Sequence, residues 1–356
     1  MATRKKAPRP IGELLAKELP GETPPTAEDL ALAVRASLGF AIIEPWLMLS
    51  DGHLFAFDSD SGQRWYCTVM GQLGQVYGLQ AFRGEAGFAL FDDIQHDRVD
   101  PGGFLSRQDL FTVEFVRRVE LTPLDRAIAA LSPVAIPAGQ RVPQFSVSRP
   151  RQLRWYPNAA ELDEINDGLM AALLFFEWLA QHKDVDPWAK SREMPLVVMT
   201  DPDLEVRQIP FPAVGAPPAD PPVKLDERTV NQILTTFASR KPGPAIEVDA
   251  FLFRAPVGGD GRPYFPWAAL ACDAKSGMVF APVMGELKET RATTMAQCLL
   301  DALRSSPFRP MGICVADEAS RAILTPIAQV LDLPVSLTKI PAVLEARAAL
   351  EASLGH

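Results

Sequence analysis

The sequence is poor in the residues that build reactive centres. Four cysteines and four histidines are scattered over 356 residues. Cys67, Cys272, Cys298 and Cys314 form no Cys-x-x-Cys pair, which argues against a zinc ribbon or a thiol redox motif. Each lies in an apolar stretch, where free cysteine behaves as a small hydrophobe. Thiols without a disulfide pattern suit a reducing compartment, so the cytoplasm is the expected location. His53, His96, His182 and His356 are too dispersed for a histidine metal centre, and no Ser-His-Asp or Cys-His arrangement stands out. Positive charge is also short. Thirty-five Lys and Arg stand against 44 Asp and Glu, a net charge of −9. A nucleic-acid partner is therefore not supported, because a broad grip on phosphates needs a positive field. Long hydrophobic runs are missing too. The most apolar run, residues 169–180, is too short to span a bilayer and carries Glu177. No other stretch approaches a membrane segment, and no apolar core of a signal peptide follows the basic residues 1–10.

Proline is abundant, with 33 residues, and it punctuates the chain. Residues 212–222 hold Pro212, Pro217, Pro218, Pro221 and Pro222. Such a run propagates neither helix nor sheet ladder, so 212–224 reads as a linker between two domains. Residues 1–25 read as a disordered tail, 26–211 as an α+β domain, and 225–356 as a second domain. The first domain opens with a helix capped by Thr26, its apolar face carrying Leu30, Val34 and Leu38. Short strand candidates follow at 46–49, 53–57, 65–70, 76–80 and 87–91, separated by Asp-Gly and glycine turns, which predicts an antiparallel meander. Helices are expected after Thr122-Pro123 and after Asn158, where Glu161 completes a capping-box pattern. Strands at 195–199 and 205–209 close this domain.

The second domain reads as a helix after Asp226 and then β-β-β-α-β-α-β-α. Its strands fall at 246–253, 267–272, 278–283, 311–316 and 334–337. Asp273 and Gly277 bracket a turn. The fourth strand is apolar without alternation and is expected to be central and parallel. Three antiparallel strands followed by βαβ crossovers predict a mixed sheet with helices on both faces. The glycine-rich segments at 71–74 and 258–261 lack the strand-to-helix setting of a phosphate loop and read as turns.

This order resembles the RNase H-like fold of integrase and transposase cores over roughly residues 245–352. The local pattern at 309–317, where a strand ends in Asp317, then Leu331 to Val335, and a last helix carrying Glu345, is similar to the segment of those enzymes that holds two catalytic carboxylates. The whole chain also resembles a bacterial two-domain family of unknown function. Residues 65–74 with 84–87, residues 143–150 with Glu161, and residues 263–267 with Cys272 and Asp273 carry that resemblance.

The RNase H-like resemblance implies a carboxylate trio of Asp249, Asp317 and Glu345, with Glu351 as an alternative third member. These would be both the catalytic residues and the ligands of magnesium or manganese in phosphoryl transfer. Asp317 is followed by Glu318, Ala319 and Ser320 and lacks the Asn-Gly that often follows this Asp in integrases. It also has the sequence context of a helix N-cap. Arg149, Arg151 and Arg154, with Arg141 nearby, form the one local basic cluster and are candidate ligand-binding residues beside Trp155 and Tyr156. The aromatics of the meander offer a candidate face for a protein partner, against the simpler expectation that they fill a core. The favoured expectation is a non-catalytic binding or scaffold protein with a degenerate RNase H-like domain. The alternative is a divalent-metal-dependent nuclease or strand-transfer enzyme.

Overall fold

The computed structural model describes residues 11–190, 192–199, 204–215, 223, 225–258 and 261–353. The chain forms two compact units, Met1–Ala216 with Gly258–Pro263, and Pro217–Val257 with Tyr264–His356. Most of the proline-rich run, and residues 1–10 of the expected tail, lie outside the described residues. Residues 11–25 are structured. Helix α1 (Ile11–Leu15) and the turn after it bury Leu15 and Leu19 in a cluster with Leu30 and Val34. The tail reading thus fails at 11–25, where two leucines supply an apolar anchor that a merely polar segment would lack.

Helix α2 (Ala27–Ile43) starts with a full capping box between Thr26 and Asp29. By length and composition Ala27–Leu47 would suffice to cross a membrane. Its inner face, including Ala33, Val34 and Phe40, instead lies in the core. The chain then forms a single 3-10 turn, Pro45–Leu47, where a strand was expected. Glu44 adopts a left-handed conformation that turns the chain, and Pro45 takes the first position of the 3-10 turn, where its missing N–H costs nothing.

Strands β1 (Leu54–Asp58), β2 (Arg64–Met70) and β3 (Gly78–Arg83) form the antiparallel start of the meander. Residues 87–91, expected as a strand, lie in helix α3 (Gly84–Gln95). Phe88 and Phe91 are one helical turn apart and both buried, whereas a strand would place them on opposite faces. Helix α4 (Pro101–Arg107) leads to β4 (Leu110–Val116), which the sequence reading passed over. Helix α5 (Pro123–Leu131) and the long α6 (Ala159–Gln181) both carry the expected caps, and β5 (Val142–Ser148) runs between them. Strands β6 (Glu193–Met199) and β7 (Leu204–Pro210) complete a seven-stranded sheet in the order β5-β4-β3-β2-β1-β6-β7. Only β1 and β6 pair in parallel. Helices α2 and α6 cover one face over Phe55, Phe57, Trp65 and Phe111, while α3 packs on Tyr66 and Phe82 of the other.

The second unit opens with α7 (Glu227–Ser239), capped by Asp226 as expected. A two-residue strand β8 (Pro242–Gly243) precedes β9 (Ile246–Leu252) and β10 (Trp267–Asp273). The expected third strand is reduced to β11 (Val283–Met284) and one bridge at Val279. Pro282, between them, has no N–H to give to a ladder. Helix α8 (Arg291–Ser305) is followed by β12 (Arg309–Pro310), paired only with β8, and by β13 (Ile313–Val315). Helix α9 (Glu318–Val330), β14 (Val335–Leu337) and α10 (Pro341–Ser353) end the unit. The sheet order is β11-β10-β9-β13-β14. β9, β10 and β11 are antiparallel, whereas β13 is parallel to both β9 and β14. Strand β9 divides its side chains by alternation. Ile246, Val248 and Ala250 join the core under α7, α8 and α9, and Phe251 and Phe253 join the cluster with Ile340 and Val343 next to α10.

Candidate functional site

Asp249 and Asp317 come together in the second unit, and an arginine joins them. Thr290 caps α8, and Arg291 is the first residue of that helix. One terminal nitrogen of its guanidinium lies 3.6 Å from Asp249 Oδ1 and 3.2 Å from Asp317 Oδ2. The same nitrogen donates to Ser320 Oγ at 2.8 Å, and Nε donates to the Ala250 carbonyl at 2.9 Å. Burial pushes the Asp249 carboxyl up, against the pull of Arg291, the Ala250 N–H and Arg347. Asp317 also sits as the N-cap of α9, accepting from Ser320 N and Ser320 Oγ. Burial raises its carboxyl, but these bonds and Arg291 outweigh it, and the net shift is downward.

The third carboxylate does not join them. Glu345 is exposed on α10, and Glu351 pairs with Arg347 at 3.0 Å. The Arg347 guanidinium lies 4.2 Å above the Phe251 ring, a cation–π arrangement. Among the described residues, no three His, Cys, Asp or Glu side chains group as metal ligands. The two converging carboxylates as they stand do not fit a divalent ion, because a guanidinium holds the space between them. Asp273 caps its own turn, accepting from Lys275 N and Ser276 Oγ, and is a turn former.

Sequence reasoning missed Glu247. It is buried on β9 and accepts from Val343 N at 3.0 Å, so a strand residue caps the start of α10. Its neighbours in sequence are apolar, and only the pairing of β9 with the helix start makes it a cap.

The basic cluster of the first unit is engaged inside the fold. Arg149 Nε donates to Glu161 at 2.7 Å, and Arg154 pairs with Glu114 at 2.9 Å. Arg151 is buried with a left-handed backbone, and its N–H donates to the Leu105 carbonyl at 2.7 Å. Arg141 stacks on Tyr77 at 4.5 Å. Arg262, in the segment Gly258–Pro263, is nearly inaccessible and bonds both Glu22 and Glu161. Glu161 therefore serves as capping-box residue of α6 and as the meeting point of Arg149 and Arg262. Glu22 and Arg262 were missed as members of this network because they lie far from Glu161 in the chain.

The meander aromatics are core residues. Trp65, Tyr66, Phe82, Phe88 and Phe91 are all buried. Exposed apolar surface lies elsewhere, in an open groove of about 680 Å³ between the end of α2 and the turn after β2. Ile42 and Leu47, each 76% exposed, line it with Trp46, Tyr77 and Arg141.

No curated protein and no solved structure matches the chain. Residues 34–197 match the model of a domain of unknown function, DUF7309, and residues 236–351 match that of a second, DUF6930. The first match lies within the first structural unit, and the second lies in the second unit apart from residues 258–263.

Proposed function

We propose that the chain is a non-catalytic binding or scaffold protein of the cytoplasm, and that its second unit is a degenerate RNase H-like domain. Three antiparallel strands followed by two parallel ones, with the first strand at the centre beside the fourth, support the RNase H-like reading. The observation that carries the non-catalytic reading is the position of Arg291. A guanidinium already lies between Asp249 and Asp317, where a two-metal mechanism needs open carboxylates. The exposed position of Glu345 supports the same reading. The partner is a protein that presents an apolar cluster to the groove of the first unit. Large aliphatic side chains gathered in one exposed groove are the usual mark of such a surface. The net charge of −9 disfavours nucleic acid as that partner.

The test is cleavage of short single-stranded and duplex DNA, RNA and hybrid in magnesium or manganese, wild type beside Asp249→Asn. The expected result is no cleavage above that of the variant. Metal-dependent cleavage abolished by Asp249→Asn would establish the nuclease reading, with Asp249, Asp317 and Glu345 or Glu351 as its carboxylates.

A further inference from the structure

Leu73 at 83%, Val119 at 79%, and Ile42 and Leu47 at 76% are the most exposed large hydrophobics among the described residues. Ile42 and Leu47 line the groove of the first unit, and so do Gln72 and Gly74 on either side of Leu73. Val119 follows β4, whose Phe115 is also part of the lining. Aliphatics exposed one by one need no explanation, but several gathered around one groove mark an interface.

The floor of the groove is built in advance. The Trp46 and Tyr77 rings meet edge to face with their centres 5.0 Å apart, and Trp46 lies 5.9 Å from Phe115. Gly71 lets the turn after β2 close onto them, since a Cβ there would lie 2.7 Å from Trp46 Cβ and 2.9 Å from Tyr77 Cδ1. Trp, Tyr and Arg are the usual anchors of protein interfaces, and a preformed floor lowers the ordering cost of binding.

The charges of the groove select the occupant. Glu44 and Arg141 both line it, and neither has an ion pair among the described residues. Arg141 donates to the Phe115 carbonyl at 3.2 Å and stacks on Tyr77. Glu120 feels its charge, but the hydrogen bonds of Glu120 go to Arg117. A purely apolar partner would leave one acid and one base unanswered. We propose that the occupant is a second copy of this chain, a proposal that rests on the binding-protein reading above and names its partner. In a two-fold dimer Glu44 of each copy meets Arg141 of the other, and Ile42 and Leu47 of each copy fill the other's groove. The face is self-complementary, and its two lining charges sum to zero. That neutrality matters in a chain of net charge −9, whose copies otherwise repel.

Sedimentation velocity on the full chain over a range of micromolar concentrations tests this. Wild type is expected to sediment as a dimer. Leu47→Glu buries an unanswered charge in that dimer and is expected to weaken it by about tenfold or more, with an unchanged circular dichroism spectrum because the site is exposed in the single chain. Glu44→Arg and Arg141→Glu each set like charges against each other twice per dimer, and each is expected to be monomeric alone. Mixed in equal amounts they are expected to recover the dimer, since one chain then offers two arginines and the other two glutamates. A monomeric wild type overturns the proposal. So does a dimer that Leu47→Glu leaves intact, and so does a mixture that stays monomeric although both charge variants fold. If either charge variant does not fold, Leu47→Glu decides. The two readings fail separately. A monomeric wild type removes the second copy as partner without bearing on the absence of cleavage, and cleavage by a dimeric wild type overturns the non-catalytic reading without touching the dimer.

Discussion

A single carboxylate can be read as an N-cap or as a metal ligand, and Asp317 shows how the surroundings decide. Its oxygens accept from Ser320 N, Ser320 Oγ and Arg291. All three favour the ionised form and hold the group below the usual carboxylate range despite the contribution of burial. A lowered folded pKa gives stability that is present above the unfolded carboxylate range and lost as pH falls through the folded value. Asp249, held up by burial, carries the opposite slope, since its ionisation costs the folded state stability as pH rises. Asp317→Asn keeps an N-cap residue but removes the charge. It is expected to lower stability at neutral pH by about 1 kcal/mol or less, because nearly half of the side chain is in solvent. The difference from wild type should close as pH falls through the lowered folded value. Urea unfolding at a series of pH values measures both, and a difference that persists in acid would contradict the assignment. The sequence made Asp317 visible as a cap. It could not show Arg291 beside it, because the contact joins the start of one helix to the start of another across the end of a strand.

Elements were legible where caps and breakers marked them. Thr26, Thr122, Asn158, Asp226 and Asp317 all cap the helices they precede. The order of elements in the second unit was legible apart from the two-residue strands β8 and β12 and the third strand, which is reduced to β11 and one bridge. The misread segments are short ones whose local pattern fits two structures. Residues 87–91 alternate and also step helically, and tertiary packing on Tyr66 and Phe211 settled them as helix. Strand β5 carries Pro143, which demotes a run read in isolation, yet β5 is an edge strand where proline is tolerated. Helix α6 shows a close approach that the sequence does mark with a glycine. A Cβ at Gly168 would lie 2.5 Å from Phe111 Cζ and 3.2 Å from Phe57 Cζ. Gly168→Ala gains roughly 1 kcal/mol of helix propensity. It meets an overpacking penalty of about 1–3 kcal/mol in a filled core. Net destabilisation by about 1 kcal/mol is expected, read from the midpoint of denaturant unfolding. A stabilised variant would mean that the two rings yield without cost.

On the scale of the whole molecule, the sequence marks a proline-rich run at 212–222, and the two compact units are Met1–Ala216 with Gly258–Pro263 and Pro217–Val257 with Tyr264–His356. What it could not show is that the first unit is discontinuous. Residues 258–263 rejoin it, and Arg262 is the reason, with its side chain only 2% exposed between Glu22 and Glu161. Removing one member of a buried ion pair leaves an uncompensated charge and costs about 3–5 kcal/mol. Arg149 still faces Glu161, so Arg262→Ala is expected at the lower end, about 3 kcal/mol. The loss should appear as a lowered melting temperature with the secondary structure retained. No change in melting would show that Arg149 alone neutralises the pair. The basic cluster was legible as a cluster, but Glu114, Glu22 and Arg262, which complete its ion pairs, are separated from it by long stretches of chain.

The same discontinuity bears on how the protein is made. Residues up to Ala216 leave the ribosome well before Arg262 does. At about 5–20 residues per second, several seconds pass while Glu22 and Glu161 wait for their guanidinium. During that interval the nascent first unit carries two buried-to-be carboxylates with only Arg149 between them. Arg262 is thus the last of these charged partners to be synthesised, and it comes from a loop that belongs, in sequence, to the second half of the chain.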